Sequence, residues 1–161
     1  MKSWNTGCFI KTMKINVFTE GGITLPYNGI TKRKVGALAK KICGRLGLDD
    51  VAVCVILTDN EHIRAINRDY RKKNRPTDVI SFAYHENPFP EVDAAHKNLG
   101  DIYISLEKLH EQAMEYGVTD AQEFTRLLVH GVLHCAGYDH ERSRDDEKIM
   151  REKEEELLSM L

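Results

Sequence analysis

HGVLHCAGYDH, residues 130–140, decides the reading of this chain, because it sets three histidines at spacings that each have a geometric reason. His130 and His134 are four apart, so on a helix they stand on one face about one turn from each other and converge on a single ion. Gly137 supplies a stop that tolerates a left-handed backbone, and the reversed chain brings His140 back as a third ligand. Three neutral imidazoles suit one Zn²⁺ ion and leave its fourth tetrahedral position open, whereas a structural zinc site is normally closed by a fourth protein ligand. An open position points to catalysis. A lone histidine on an apolar face is usually a packed core residue; three at these spacings are read as metal ligands.

The same spacing matches the H-x-x-x-H-x-x-G-x-x-H frame of metzincin-type zinc enzymes at every histidine and at the glycine. One position departs from it. The peptidase frame places a glutamate directly after the first histidine as general base, and here that position is Gly131, which moves no proton. The metal cradle is kept and the peptidase base is missing.

Working outward, Thr119 and Gln122 have capping-box spacing. The residues after them, Leu127, Leu128, Val129, Val132, Leu133 and Ala136, are apolar on nearly every side, as expected of a buried central helix that carries the histidine pair. A charged helix over 143–161 follows, with Ile149, Met150, Leu157 and Leu158 on its docking side; Met150 is read as core rather than as a methionine turn under the metal. Upstream, residues 14–18 alternate as a strand. Residues 31–46 form a helix with Val35, Leu38, Ile42 and Leu46 in one stripe, and the apolar run 51–57 is a buried strand. Thr58 with Glu61 signals a helix through Tyr70, with Ile63, Ile66 and Tyr70 buried. Residues 79–84 and 101–106 are two further strands, joined by a Pro-containing loop over about 85–99 that borders the site. A helix from 105 or 106 to 116 ends at Gly117, with His110 in a surface or packing role. The fold class is therefore α+β: a small mixed four-stranded sheet with segregated helices and a metzincin-like metal cradle.

A chain of 161 residues with 42% hydrophobic and 30% charged side chains buries a core without staples. Residues 13–161 are expected to form a single metal-dependent hydrolase domain, and residues 1–12 a loosely ordered N-terminal extension. Cys8, Cys43, Cys54 and Cys135 form no C-x-x-C pair, and no apolar stretch has the length of a membrane span or of a signal peptide's core. A cytoplasmic protein without membrane attachment is expected. The net charge of −2 hides an asymmetry: residues 1–75 hold 15 basic and 6 acidic side chains, residues 76–161 hold 8 and 19. A polarised chain of this kind can turn a basic face toward a polyanion. Arg64, Arg68, Arg71, Lys72, Lys73 and Arg75 stand against one acid, Asp69, and suit phosphate, although a solvated helix end has the same composition.

Taken together, NRDYRKKNRPTDVISF (residues 67–82), NLGDIYIS (98–105) and HGVLHCAGYDH resemble the YbeY family of bacterial endoribonucleases, across roughly residues 60–150. Ala83 departs from the pattern, where many members carry proline. The resemblance implies a zinc-dependent, single-strand-specific endoribonuclease that matures ribosomal RNA, notably the 3′ end of the small-subunit RNA, and serves ribosome quality control. It implies small-subunit ribosomal proteins and assembly factors as partners, with no DNA substrate. It carries over His130, His134 and His140 as metal ligands and Arg71 as the arginine tied to cleavage. Proton transfer is left to the metal's own ligand sphere, to the ribose 2′-hydroxyl or to Asp78, Asp101 or Asp139; Asp139 is equally placed to orient His134 or His140, and Asp101 to serve as a turn acid. Tyr84 and Tyr103 are available for base stacking but read better as packed sheet residues. Two other classes compete: a metal-dependent peptidase or amidase, against which Gly131 and the arginines speak, and a non-catalytic zinc-containing assembly factor.

Overall fold

The computed structural model describes residues 12–85 and 97–161. The elements run β1 (Lys14–Thr19), α1 (Lys32–Arg45), β2 (Val51–Thr58), α2 (Asn60–Arg71), β3 (Val79–Ala83), β4 (Lys97–Ser105), α3 (Leu106–Tyr116), α4 (Asp120–Cys135) and α5 (Arg144–Ser159). The strands form one mixed sheet in the order β1-β2-β4-β3, with β1, β2 and β4 parallel and β3 antiparallel to β4. Strand β2 lies between two neighbours and is buried along almost its whole length, which is why VAVCVILT is apolar without alternation. The β1-α1-β2 segment is a parallel crossover unit, so one βαβ connection exists in a chain whose sequence shows no strict alternation. No helix among the described residues is long and apolar enough to cross a membrane.

Helix α4 is the centre of the packing. It begins with a complete capping box between Thr119 and Gln122 and buries Phe124, Leu127, Leu128, Val129, Val132, Leu133 and Cys135. It contacts β3 and β4 on one side and α1, α3 and α5 on the others. Burying each of its large aliphatic side chains contributes about 1.5–3 kcal/mol before chain entropy is counted. Gly131 is what lets the helix approach the sheet: a Cβ there would lie 2.6 Å from Ile102 Cγ2 and 3.3 Å from Ser81 Oγ. The position after the first histidine thus faces the sheet.

Several local expectations need correction. Helix α2 is capped by Asp59, whose carboxylate accepts from the His62 amide at 2.8 Å, because Thr58 is spent as the fully buried last residue of β2. Its buried face is Ile63 and Asn67. Tyr70, expected inside, is 70% exposed and rests edge-on against Phe82, with ring centroids 5.0 Å apart. On α5, Met150 and Leu157 are buried, while Ile149 and Leu158 are exposed beside them. In α1, Leu38 and Leu46 only border the core, and Ala39 and Cys43 complete the buried face. Strand β4 starts at Lys97, earlier than expected. Most of the expected 85–99 loop, and the extension apart from Thr12, lie outside the described residues.

Candidate metal centre

His130 and His134 project from the last two turns of α4 with their Nε2 atoms 3.1 Å apart. Helical bonding stops at Ala136. Gly137, at φ +102°, takes a backbone conformation that L side chains rarely adopt, and the turn returns His140 to within 5.3 and 4.9 Å, ring centroid to centroid, of the other two. One ligand atom from each ring falls within 4.8 Å of the others. Nitrogens bound tetrahedrally to zinc at about 2.0–2.1 Å would sit about 3.3 Å apart. The donor set therefore fits a small divalent ion: three partly buried imidazoles on one point.

Two features prepare the rings for a cation. Burial, with the neighbouring His130 and His140, pushes the His134 pKa down to about 4, so its lone pair is free at any pH well above that. His130 turns Nδ1 to Glu154 Oε1 at 2.5 Å, which makes Nδ1 the donor and turns Nε2 toward the site. Glu154 lies on α5, 24 residues downstream of its partner, among many other acids. Nothing in the sequence distinguishes it.

The cleft over the histidines has a volume of about 370 Å³, and Arg71, Thr77, Asp78, Ser81, Arg126, Asp139 and Glu141 line it with them. Arg71 closes α2 immediately before Lys72, which turns the chain at φ +61°, and it is near enough to His134 to help depress its pKa. The rest of the basic run does not converge there: Arg64 donates to Asn74, Arg68 to Asp69, and Lys72 to the Asp69 carbonyl. Asp78 lies in the cleft. Its Oδ1 accepts from the Thr77 hydroxyl and the Val79 amide, and its Oδ2 stands 3.8 Å from Arg126 Nη2. Asp139 also lines the cleft, but its carboxylate accepts from the Glu141 amide and pairs with Arg142 Nε at 2.9 Å, with no hydrogen bond to a histidine among the described residues. The Glu141 amide, chiefly, holds it below the usual carboxylate range.

Asp101 is elsewhere. In the β3-β4 register Phe82 pairs with Asp101 and Ile80 with Tyr103, while Ser81 pairs with Ile102, the residue under Gly131. Asp101 and Tyr103 therefore lie on the face away from α4, where Asp101 accepts from the Tyr84 hydroxyl at 2.8 Å. Tyr103 meets Phe82 edge-on, so both tyrosines are fold residues rather than part of the cleft. His110 binds Asp120 at the protein surface, as expected for it. Arg126 and Glu123, which the sequence reading passed over, form a bidentate pair on α4 one turn before His130.

The family model described as "Endoribonuclease YbeY" matches residues 27–161. Among curated proteins bearing that description, one from Fusobacterium nucleatum subsp. nucleatum is 53% identical over 105 residues, which are 65% of this chain and 64% of that protein. One from Sulfurihydrogenibium sp. is 42% identical over 82% of this chain and 84% of its own, and one from Aquifex aeolicus 40% identical over 86% and 89%. The solution structure of TM1509 from Thermotoga maritima superposes with a TM-score of 0.59 at 31% identity, covering 89% of this chain and 86% of that one. A histidine triad on a central helix, a mixed four-stranded sheet and a family match over most of the sequence agree with one another, and this chain belongs to the endoribonuclease YbeY family.

Proposed function

We propose that this protein, with residues 13–161 as its hydrolase domain, is a zinc-dependent endoribonuclease that cuts single-stranded ribosomal RNA in the cytoplasm. Maturation of the small-subunit RNA 3′ end, with small-subunit proteins and assembly factors as partners, is the setting in which that activity serves ribosome quality control. The observation that carries the reading is the meeting of three imidazoles and Arg71 in one cleft, beside a glycine where a zinc peptidase keeps its base.

His130, His134 and His140 hold the ion, and bound zinc supplies Lewis acidity toward a phosphoryl oxygen and acidifies water. Arg71 presents a planar fork of donors to the phosphodiester and offsets the charge that gathers on its oxygens in the transition state. Asp78 is the carboxylate placed to take a proton, because its Oδ2 accepts no hydrogen bond among the described residues. Asp139 is the poorer base, being held as an anion by the Glu141 amide. The single-strand preference follows from chemistry, since base pairing holds nucleotides stacked in a helix and keeps them from splaying toward the cleft.

Cleavage of a defined single-stranded RNA by the wild type and Arg71→Ala, at equal measured zinc content, tests this. The variant should keep its metal and lose roughly 10²–10³-fold in kcat. Digestion of casein instead of RNA would establish the peptidase reading. An intact, zinc-loaded wild type inert toward both would favour a partner-dependent enzyme or a non-catalytic assembly factor.

A further inference from the structure

We propose that Arg126 is a second phosphate anchor, engaging the backbone phosphate next to the one being cut. The inference rests on the ribonuclease reading above. Arg126 precedes His130 by four residues on α4, one helical turn or roughly 6 Å along the axis, and both side chains line the same cleft. Its guanidinium is fixed: Nε donates to Glu123 Oε2 at 3.0 Å and Nη2 to Glu123 Oε1 at 2.6 Å. The two partners differ sharply in exposure. The Glu123 side chain is 2% exposed and that of Arg126 is 43% exposed, so a buried anion holds a cation at the surface of the cleft. Among the described residues none accepts from Nη1. An arginine held through Nε and Nη2 is pre-organised, and it gives up little side-chain freedom when its remaining donors meet an anion.

What lies beyond Arg126 supports the assignment. The same residue borders a second, more open groove of about 480 Å³, whose walls include Val118, Ala121 and Leu158. A strand leaving the metal cleft across Arg126 would set its next base on apolar surface while its phosphate meets the guanidinium. Arg71, on a different element, then serves the scissile phosphate and Arg126 the neighbouring one, which gives the cleft a direction for the chain.

The plainer account is that Arg126 only neutralises Glu123, since a buried carboxylate requires a partner. The double variant Glu123→Gln/Arg126→Gln separates the two. It removes both charges, leaves the net charge unchanged, and keeps two amides of matching length able to bond one another. A phosphate anchor is lost in it and a charge-neutral pair is not. The probe is a fluorescein-labelled single-stranded RNA of about eight nucleotides with 2′-O-methyl groups to block cutting, titrated into zinc-loaded protein across a salt series. A dinucleotide with a single phosphodiester is the control. Loss of one ion contact lowers the slope of log K against log salt by about 0.7. The double variant should bind the longer RNA about 10-fold more weakly with that lower slope, bind the dinucleotide as the wild type does, and raise KM for a cleavable long RNA. Arg126→Lys should fall between the two. Wild-type affinity and slope in a folded double variant would overturn the anchor and leave the ribonuclease reading standing. A wild type that neither binds nor cuts single-stranded RNA would overturn both.

Discussion

Replacing Glu154 tests whether α5 is part of the metal site or merely packs behind it. The carboxylate stands 2.5 Å from His130 Nδ1, and both side chains are about three-quarters buried, at 24% and 25% exposure, so water replaces the contact poorly. A hydrogen bond to a charged group contributes about 1.5–3 kcal/mol. Here it does so in the state that counts, because ligation draws electron density from the ring and the carboxylate compensates. Partners of this kind typically change metal affinity by about 10- to 100-fold, or roughly 1.4–2.7 kcal/mol, in agreement with the hydrogen-bond figure. Glu154→Gln keeps an oxygen able to accept and should weaken zinc binding by about 10-fold. Glu154→Ala frees the ring to choose its tautomer and should approach 100-fold. Competition against a chelating dye reads the affinity, with circular dichroism confirming that α5 is intact. A folded Glu154→Ala protein binding zinc within two-fold of the wild type would show that the contact does not prepare His130 for its ion.

Three further outcomes follow from packing and charge. Gly131→Ala drives a methyl to 2.6 Å from Ile102 Cγ2, and overpacking of about 1–3 kcal/mol should outweigh the roughly 1 kcal/mol gained in helix propensity, lowering the urea midpoint. Asp59, whose pKa is lowered chiefly by the Gly22 amide and also by that of His62, contributes stability above its unfolded pKa near 3.8 and loses it as pH falls through the lower folded value. Asp59→Ala should therefore cost about 1 kcal/mol at neutral pH and flatten that acid limb in denaturation curves. In the metal-free protein His134 titrates near 4 against 6.5 when unfolded, so the unfolded chain binds more protons in between and stability should fall as pH drops through that window; His134→Gln should reduce the slope.

The helices and strands were legible where one physical signal dominates. The capping box at Thr119 and the all-round apolar face of α4 each have a single reading, the structure places both as read, and it brings the three histidines together. The Thr58 assignment failed because two signals overlap in adjacent residues, and burial of β2 claims the threonine before the helix can use it. Tyr70 sits at helical spacing from Ile63, but α2 covers the sheet only as far as Asn67, and the ring beyond it leans on Phe82 from outside. Strand order was hidden because β4 joins β2 as a parallel neighbour while β3, earlier in sequence, takes the edge. Glu154 was invisible for another reason: a carboxylate in an acid-rich helix gains meaning only from what stands opposite it, and its partner His130 lies 24 residues away on another helix.

The direction in which Gly131 faces also constrains descent. Two enzyme classes share a histidine spacing and differ at the residue after the first histidine, which suggests a single codon separating one chemistry from the other. The 2.6 Å approach to Ile102 closes that route, since a glutamate introduced there meets the sheet before it can reach the ion. A glutamate at this position would also need β4 to retreat or Ile102 to shrink. The shared spacing is then what a small divalent ion demands of a helix and a turn.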